Sequence, residues 1–392
     1  MPTQHALLSA SSSNRWIHCP PSVRLIEQFE NKTSDFARQG TDAHTLCEYK
    51  LHKLLGDDVE DPTPSLEFYD EEMEQCATNY ATFVMEEVAK VRQTTSDPIV
   101  IVEQKLDFSR FVPDGFGTGD CLVIADGTLS VIDMKYGLGI LVDAYQNPQM
   151  MCYALGALEL FDGIYDIQEV KMTIFQPRRE NISAYTLSKE ELLQWANDVL
   201  APAAQLAYKG EGEYQCGKWC GFCPAKNSCR ARAERNLELA KYEFKKPDLL
   251  EDDEIEEILE KVDDLVSWSN DIKEYALQLA LSGKQWANHK LVEGRSTRKY
   301  SNDNDVVAAV IKAGYDPYDK KLLGVTGMTK TLGKAKFDEL LSDYIIKPPG
   351  KLTLVTNDDK RQAVHIDSAK DDFSEVSPDE KDSAKSWSNC YC

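Results

Sequence analysis

Residues 117–137 read GTGDCLVIADGTLSVIDMKYG and predict two β-strands joined by a tight turn. The runs 120–125 and 129–135 are rich in β-branched residues, which favour a pleated strand. Asp126 and Gly127 lie between them, and an Asp-Gly pair flanked by such runs is a strong hairpin signal. We therefore expect this segment to form the centre of a sheet.

The predicted hairpin carries two carboxylates and a lysine. Asp133 and Lys135 are two residues apart on the second strand, so both side chains project from the same face. Asp120 opens the first strand, and hairpin pairing can bring it next to Asp133. Two such carboxylates repel each other unless they bind a divalent cation, and hard oxygen ligands suit Mg²⁺ or Mn²⁺. Taken alone, Asp-x-Lys also fits a surface strand with a salt bridge.

Two predicted helices carry further polar pairs. His44 and Glu48 are four residues apart, hence on one helix face, and Gly-Thr at 40–41 predicts the start of that helix. Histidine is an ordinary ligand for metals such as Mn²⁺. Gln149 and Tyr153 lie one turn apart on the helix after the Asp-x-Lys strand. Each pair alone also fits an ordinary amphipathic helix.

The pattern of elements predicts an α/β fold with a sheet flanked by helices. Helical spacing is expected over 22–55, 66–93, 146–161 and 188–208, and further strands over 100–103 and 170–176.

Four motifs along the chain together resemble the RecB-type nuclease branch of the PD-(D/E)XK superfamily over residues ~10–235. In order, they are G-T-x-x-H-x-x-x-E, G-x-x-D, D-x-K and Q-x-x-x-Y. The resemblance implies a restriction-endonuclease-like mixed central sheet and metal-dependent hydrolysis of DNA phosphodiester bonds, and a Mg²⁺- or Mn²⁺-dependent DNA exonuclease is the leading hypothesis. It also implies that His44, Asp120 and Asp133 bind the metal and that Lys135 is the catalytic lysine. Gln149 and Tyr153 would position the substrate or the lysine. Many relatives have Glu where this chain has Asp133. The matching residues are Gly40, Thr41, His44, Glu48, Gly117, Asp120, Asp133, Lys135, Gln149 and Tyr153.

Four cysteines crowd into the segment CGKWCGFCPAKNSC, which is a strong signal for a metal site. Cys220, Cys223 and Cys229 have C-x₂-C-x₅-C spacing, and Cys216 precedes them by four residues. Both Zn²⁺ and an iron–sulfur cluster accept four thiolates. Zinc ribbons usually pair two C-x₂-C knuckles, so the single knuckle here fits zinc less well.

The cysteine spacing is similar to that of AddB-like and CRISPR-associated nucleases that carry a [4Fe–4S] cluster. In those nucleases one cysteine precedes the nuclease core and three follow it, and Cys19 in WIHCPPS stands at the early position. The resemblance therefore implies Cys19, Cys220, Cys223 and Cys229 as ligands, with Cys216 as a spare. Such a cluster would staple the N-terminal segment to the end of the nuclease domain. Zn²⁺ at these cysteines is the alternative.

The 392-residue chain carries a net charge of −22, which argues against coating DNA or a membrane through bulk charge. The run 251–264 and the tail 367–385 together supply −12 of this charge. Phosphates would be met by metal ions and by local bases. These bases are Arg178, Arg179, Lys226, Arg230 and Arg232.

The chain is expected to contain a nuclease domain, an acidic helical segment, a small accessory module and an acidic disordered tail, at 1–235, 236–285, 286–366 and 367–392. The part of the chain after the nuclease domain, including LLGVTGMTKTLGK and KPPGKLTLV, resembles an uncharacterised family found mainly in bacteriophages and prophages. This association implies a role in DNA recombination, replication or repair. The expected partner is DNA, and a phage strand-annealing protein or self-association is considered for the acidic segments. With no signal peptide and no apolar run near ~20 residues, a cytoplasmic location is expected, in the bacterial host if phage-encoded. The alternative is a catalytically silent DNA- or protein-binding module on a nuclease fold.

Overall fold

The chain divides into two compact units, Met1–Leu291 and Val292–Cys392. The predicted division at 235, 285 and 366 stays a prediction. The computed structural model describes residues 6–29, 34–93, 95, 97–238, 250–292, 301–318, 322–346 and 362. The predicted disordered tail, 367–392, lies outside these residues.

The first unit is built around a five-stranded mixed sheet with the strands in chain order. Strand β3 pairs parallel with β4, and every other neighbouring pair is antiparallel. The predicted α/β class is confirmed, and so is the hairpin, in which Ala125 pairs with Thr128. The strands are β1 Ile99–Asp107, β2 Phe116–Ala125, β3 Thr128–Met134, β4 Glu169–Gln176 and β5 Asn181–Ser188.

Helices precede and follow the strands along the chain, and several of them begin at a residue whose side chain caps the helix. The first unit contains α1 Ser13–His18, α2 Ser22–Leu25, α3 Asp35–Leu55, α4 Glu71–Val91, α5 Pro148–Tyr165, α6 Lys189–Trp195, α7 Ala201–Lys209, α8 Arg230–Leu237 and α9 Asp252–Leu281. The second unit contains α10 Asp303–Lys312, α11 Val325–Leu332 and α12 Lys334–Leu341.

Successive residues of a strand point to opposite sides of the sheet, and along β2 the residues on both sides are buried. On β2, Leu122 and Ile124 pack with α5, which crosses over the sheet between the parallel strands β3 and β4. Cys121 and Val123 face the other way and pack with α3 and α4. The polar residues at the ends of these strands are therefore held between two helical layers.

Several element boundaries differ from the sequence prediction. Helix α3 begins at Asp35, where the Ser34 hydroxyl accepts from the Ala37 amide at 3.2 Å, so Gly40 and Thr41 lie inside the helix. The predicted helix start at 40–41 is therefore wrong. The predicted helix 22–55 is interrupted, since α2 ends at Leu25. Strand β5 and helix α11 were not predicted.

Membrane insertion was not expected from the sequence. None of the helices in the described ranges combines the length and apolarity needed to cross a bilayer.

Candidate functional site

Three carboxylates form a row across three adjacent strands. Glu103 on β1 and Asp120 on β2 lie at the same level of the sheet, between the paired residues on either side of them. Asp133, at the end of β3, follows the residue that pairs with Cys121, so it lies next to Asp120. Asp133 is only 2% exposed. Three acids so close together in a mostly buried setting are costly unless cations compensate them.

His44 on α3 approaches the row from the helical layer. Its Nδ1 lies 3.2 Å from Oδ1 of Asp120, and the other oxygen, Oδ2, accepts from the Met134 amide at 2.7 Å. The Asp120 carboxylate is thus fixed by a neighbouring strand on one side and faces an imidazole on the other.

Glu103 completes a compact ligand set that the sequence motifs did not identify. Its carboxylate, one carboxylate oxygen of Asp120 and one ring nitrogen of His44 all lie within 4.8 Å of one another. Glu103 also has a φ of +52°, which is unusual for a residue other than glycine. An acid at the end of a predicted strand is common, and its φ cannot be read from sequence.

Asp133, which was predicted to be a metal ligand, belongs to a second set of contacts, formed with Lys135 and Gln149. Its Oδ2 is 2.8 Å from Nζ of Lys135, and its Oδ1 accepts from Nε2 of Gln149 at 3.4 Å. Lys135 in turn donates to Oε1 of Gln149 at 3.3 Å, and Gln149 donates to the Tyr153 hydroxyl at 3.1 Å. The four predicted residues on β3 and α5 therefore form one continuous network.

The start of α5 places Gln149 in this network. The Asn147 side chain accepts from the amides of Gln149 and Met150, and Pro148 occupies the first helical position. Both features favour a helix start at this point. Gly117 leaves room for the Tyr153 ring, because a Cβ at residue 117 would lie 2.7 Å from it.

The charges of the site shift the pKa values of its members in opposite directions. Burial alone would raise the pKa of Asp120, but the positive charges of His44 and Lys135 and two hydrogen bonds hold it below its usual value. Burial raises the pKa of Asp133, and Lys135 only partly offsets this effect. Burial and the Asp120 charge raise the pKa of Glu103 to about 7.

The same carboxylates also shift the pKa of the His44 imidazole. Burial alone would lower the pKa of His44, but the Asp120 carboxylate outweighs it and raises this pKa to about 9. A divalent cation and a phosphate would require an imidazole nitrogen, two carboxylates and a nearby ammonium, and the site contains all of these groups.

Glu48 and Tyr80 lie next to the ligand set. Both line a small cavity together with His44, Glu103 and Asp120. Tyr80 is 1% exposed, and within the described part of the chain its hydroxyl has no hydrogen-bond partner.

All five cysteines singled out from the sequence surround one cavity. Cys19 follows α1, and the other four lie in the segment before α8. Burial raises the pKa of the Cys216 thiol to about 12, and it also raises the pKa of Cys19 and of Cys223. The cavity is lined by Cys19, Cys216, Cys220, Cys223 and Cys229.

A buried arginine enters the same cavity. Arg15 is 9% exposed, its Nη1 donates to the Ser22 hydroxyl at 3.0 Å, and it forms no salt bridge within the described ranges. Among its neighbours, the thiols of Cys19 and Cys223 interact with its charge. A buried guanidinium needs a negative partner, and metal-bound thiolates would supply one, so these residues fit a thiolate-held metal group.

Most of the expected phosphate-binding bases are already engaged. Arg178 pairs with Glu72 at 3.0 Å, while Lys226 and Arg232 both pair with Asp271 on α9 at 2.8 and 2.6 Å. Arg179 is exposed and donates to the Leu138 carbonyl at 2.9 Å, and Arg230 is also exposed.

A family model described as "Protein of unknown function (DUF2800)" matches residues 5–362. The chain belongs to the DUF2800 family. A solved structure described as "Crystal structure of SSO0001" is 14% identical to this DUF2800 chain, with a TM-score of 0.20. The match covers 49% of this chain and 98% of that chain. At that TM-score the likeness carries no argument about fold or function.

Proposed function

We propose that the chain is a metal-dependent DNA nuclease of the PD-(D/E)XK type that hydrolyses phosphodiester bonds. The observation that carries this proposal is the row of Glu103, Asp120 and Asp133, with His44 against Asp120 and Lys135 against Asp133. Three acids in this mostly buried setting contribute nothing to packing that apolar residues would not, so their chemistry is the reason to look for a cation.

His44, Glu103 and Asp120 would hold Mg²⁺ or Mn²⁺, with Asp133 beside them. Such an ion, when bound, polarises a phosphate and lowers the pKa of a bound water. Asp133 and Gln149 hold the Lys135 ammonium at 2.8 and 3.3 Å, so its positive charge is fixed next to the acids. A fixed ammonium at this position stabilises negative charge on a phosphate undergoing attack.

Cys19, Cys220, Cys223 and Cys229 would hold a [4Fe–4S] cluster, and Cys216 is a fifth thiol at the same cavity. Zn²⁺ held by the same thiols is the alternative. The group would join the segment after α1 to the segment before α8.

The test is cleavage of end-labelled DNA by the full chain with Mn²⁺. Asp133→Ala and Lys135→Ala should each lower the rate by about 100-fold or more, because the first removes the carboxylate that holds the Lys135 ammonium in place and the second removes that ammonium. Circular dichroism should show that both variants remain folded.

Matched controls are Asp126→Ala in the hairpin turn and Lys209→Ala at the end of α7, both exposed. They should cleave at the wild-type rate. Wild-type cleavage by either site variant would reject this site as the catalytic centre, and no cleavage by the wild-type chain would reject the nuclease assignment. Iron and zinc analysis of anaerobically purified protein tests the cluster separately, and stoichiometric zinc without iron would reject it.

A further inference from the structure

The segment between β3 and α5, residues 136–147, begins and ends at the candidate site. We call it the β3–α5 loop. Lys135 immediately precedes it, Gln149 follows it, and the two side chains meet at 3.3 Å. A molecule bound to this loop would therefore lie next to the carboxylate row.

The β3–α5 loop exposes apolar side chains in a chain otherwise rich in acids. About half or more of each of four large side chains is open to solvent, and only Asp143 carries a charge within the loop. The four are Leu138 (46% exposed), Ile140 (56%), Leu141 (57%) and Tyr145 (62%).

The loop is held in this exposed conformation by buried hydrogen bonds. The side chain of Gln176, which is 1% exposed, donates to the carbonyls of Gly137 and Ile140 at 2.8 Å each and accepts from the Val142 amide at 3.2 Å. The Ser183 hydroxyl accepts from the Ala144 amide at 3.0 Å. Because these bonds fix the loop backbone, the apolar side chains cannot simply fold inward.

A cation and an aromatic ring accompany the apolar side chains. Arg179 donates to the Leu138 carbonyl at 2.9 Å and is itself exposed. The Tyr145 ring meets the Tyr185 ring edge to face, with centroids 5.0 Å apart. Surfaces that bind single-stranded nucleic acid combine positive charge for the backbone with aromatic and apolar groups for the bases.

Resting on the proposed nuclease function, we propose that the β3–α5 loop binds unpaired bases of the DNA strand whose phosphate lies at the carboxylate row. In a duplex the faces of the bases are stacked and inaccessible, so apolar side chains can contact them only where the strand is single. A protein seated on this loop would block the site, whereas the substrate strand must pass it. Tyr145 and Ile140 are the main contacts, and Arg179 meets the neighbouring phosphate.

The experiment compares cleavage of a single-stranded oligothymidylate with hydrolysis of bis(p-nitrophenyl) phosphate, which has no bases. Tyr145→Ala and Ile140→Ser should each lower the ratio of the two kcat/KM values by about tenfold, the usual effect of losing one stacked base. Tyr145→Phe keeps the ring and should restore the ratio. Ile164→Ser, at a more exposed position at the far end of α5, should leave both rates unchanged.

Binding of fluorescein-labelled oligothymidylate in Ca²⁺ gives a readout independent of hydrolysis. Weaker binding by Tyr145→Ala and Ile140→Ser, but not by Ile164→Ser, supports the proposal. If no substrate is hydrolysed while the loop variants lose oligonucleotide binding, the nuclease proposal fails and the base-binding surface stands. If hydrolysis is present and the loop variants match wild type on both measures, the base-binding proposal is overturned. An equal loss on a blunt duplex also overturns it, since the bases there are paired.

Discussion

Glu103 is the residue whose backbone and side chain both point to a function. Its positive φ is a conformation that usually costs about 1–3 kcal/mol, and such strain persists where the surrounding structure imposes it. Its carboxylate lies within 4.8 Å of the Asp120 oxygen and the His44 nitrogen. Repulsion between these acids destabilises the folded chain in the absence of a cation.

We expect Glu103→Gln to lower the affinity for Mn²⁺ at least about tenfold, because it removes one charged ligand of three. The same change should leave the metal-free protein as stable as wild type or more stable, because it relieves carboxylate repulsion. Isothermal titration with Mn²⁺ and thermal denaturation measure the two effects. Glu169→Gln, at the exposed start of β4, is the control, and an unchanged Mn²⁺ affinity in Glu103→Gln would remove this residue from the site.

The five cysteines differ in the expected cost of their loss. Cys19→Ser should reduce iron content and stability about as much as Cys223→Ser, and Cys216→Ser should reduce them less. The reason is that Cys19 is the ligand from a distant part of the chain, while Cys216 is the fifth thiol of the cavity. Iron analysis and thermal denaturation decide the point. Full iron in Cys19→Ser together with loss in Cys216→Ser would assign the four local cysteines instead.

At the scale of elements, helix α9 packs on the cysteine segment through one carboxylate. Asp271 accepts hydrogen bonds from Lys226 and Arg232, which lie on either side of Cys229. Burial alone would raise the pKa of Asp271, but these two cations hold it below its usual value. The acidic helix therefore stabilises the region that carries the thiols.

Asp271→Asn should lower the free energy of unfolding by roughly 2 kcal/mol, because it weakens charged hydrogen bonds to a buried arginine. Since folding lowers this pKa, the stabilisation is complete above the unfolded carboxyl pKa of about 3.9 and is lost as the pH falls towards the folded value. Thermal denaturation between pH 3 and 7 should show the variant and wild type converging at the acid end. Asp263→Asn, exposed on the same helix, is the control, and an equal loss there would contradict a specific role for Asp271.

Local sequence signals predicted the elements that carry most of the site. The Asp-Gly hairpin and the alternation along β2 and β3 are short-range patterns, and they placed Asp120, Asp133 and Lys135 on facing strands. Glu103 was not predicted as a site residue, because its position next to Asp120 results from the pairing of β1 with β2. No local sequence pattern encodes that pairing. The start of α3 was misplaced because Gly40 suggested a boundary, while the Ser34 cap and the packing of the helix on the sheet override it.

At the scale of the whole molecule, more than half of the net negative charge falls in two segments of the sequence. The run 251–264 carries a net −8 at the start of α9, and acidic residues also fill the tail. A charge of this size next to the site would repel phosphates most strongly at low salt, where the Debye length approaches ~30 Å at 0.01 M. We therefore expect neither segment to contact DNA.

Deleting 367–392 should leave nuclease activity on naked DNA intact, because none of the residues proposed for the carboxylate row or for the cysteine cavity belongs to this segment. The measurement is kcat/KM of the full and shortened chains at two salt concentrations. A loss of more than about tenfold, roughly 1.4 kcal/mol of transition-state stabilisation, would place the tail in the site.

The shared cavity of Cys19 and Cys229 also constrains the order of events during biosynthesis. These residues are roughly 200 positions apart, so at ~5–20 residues per second about 10–40 s separate their appearance from the ribosome. Until then, Trp16, fully buried in the finished protein, and Arg24, which donates to the Tyr208 carbonyl at 2.9 Å, lack part of their surroundings. The segment that carries Trp16, Cys19 and Arg24 is thus among the last to reach its final environment.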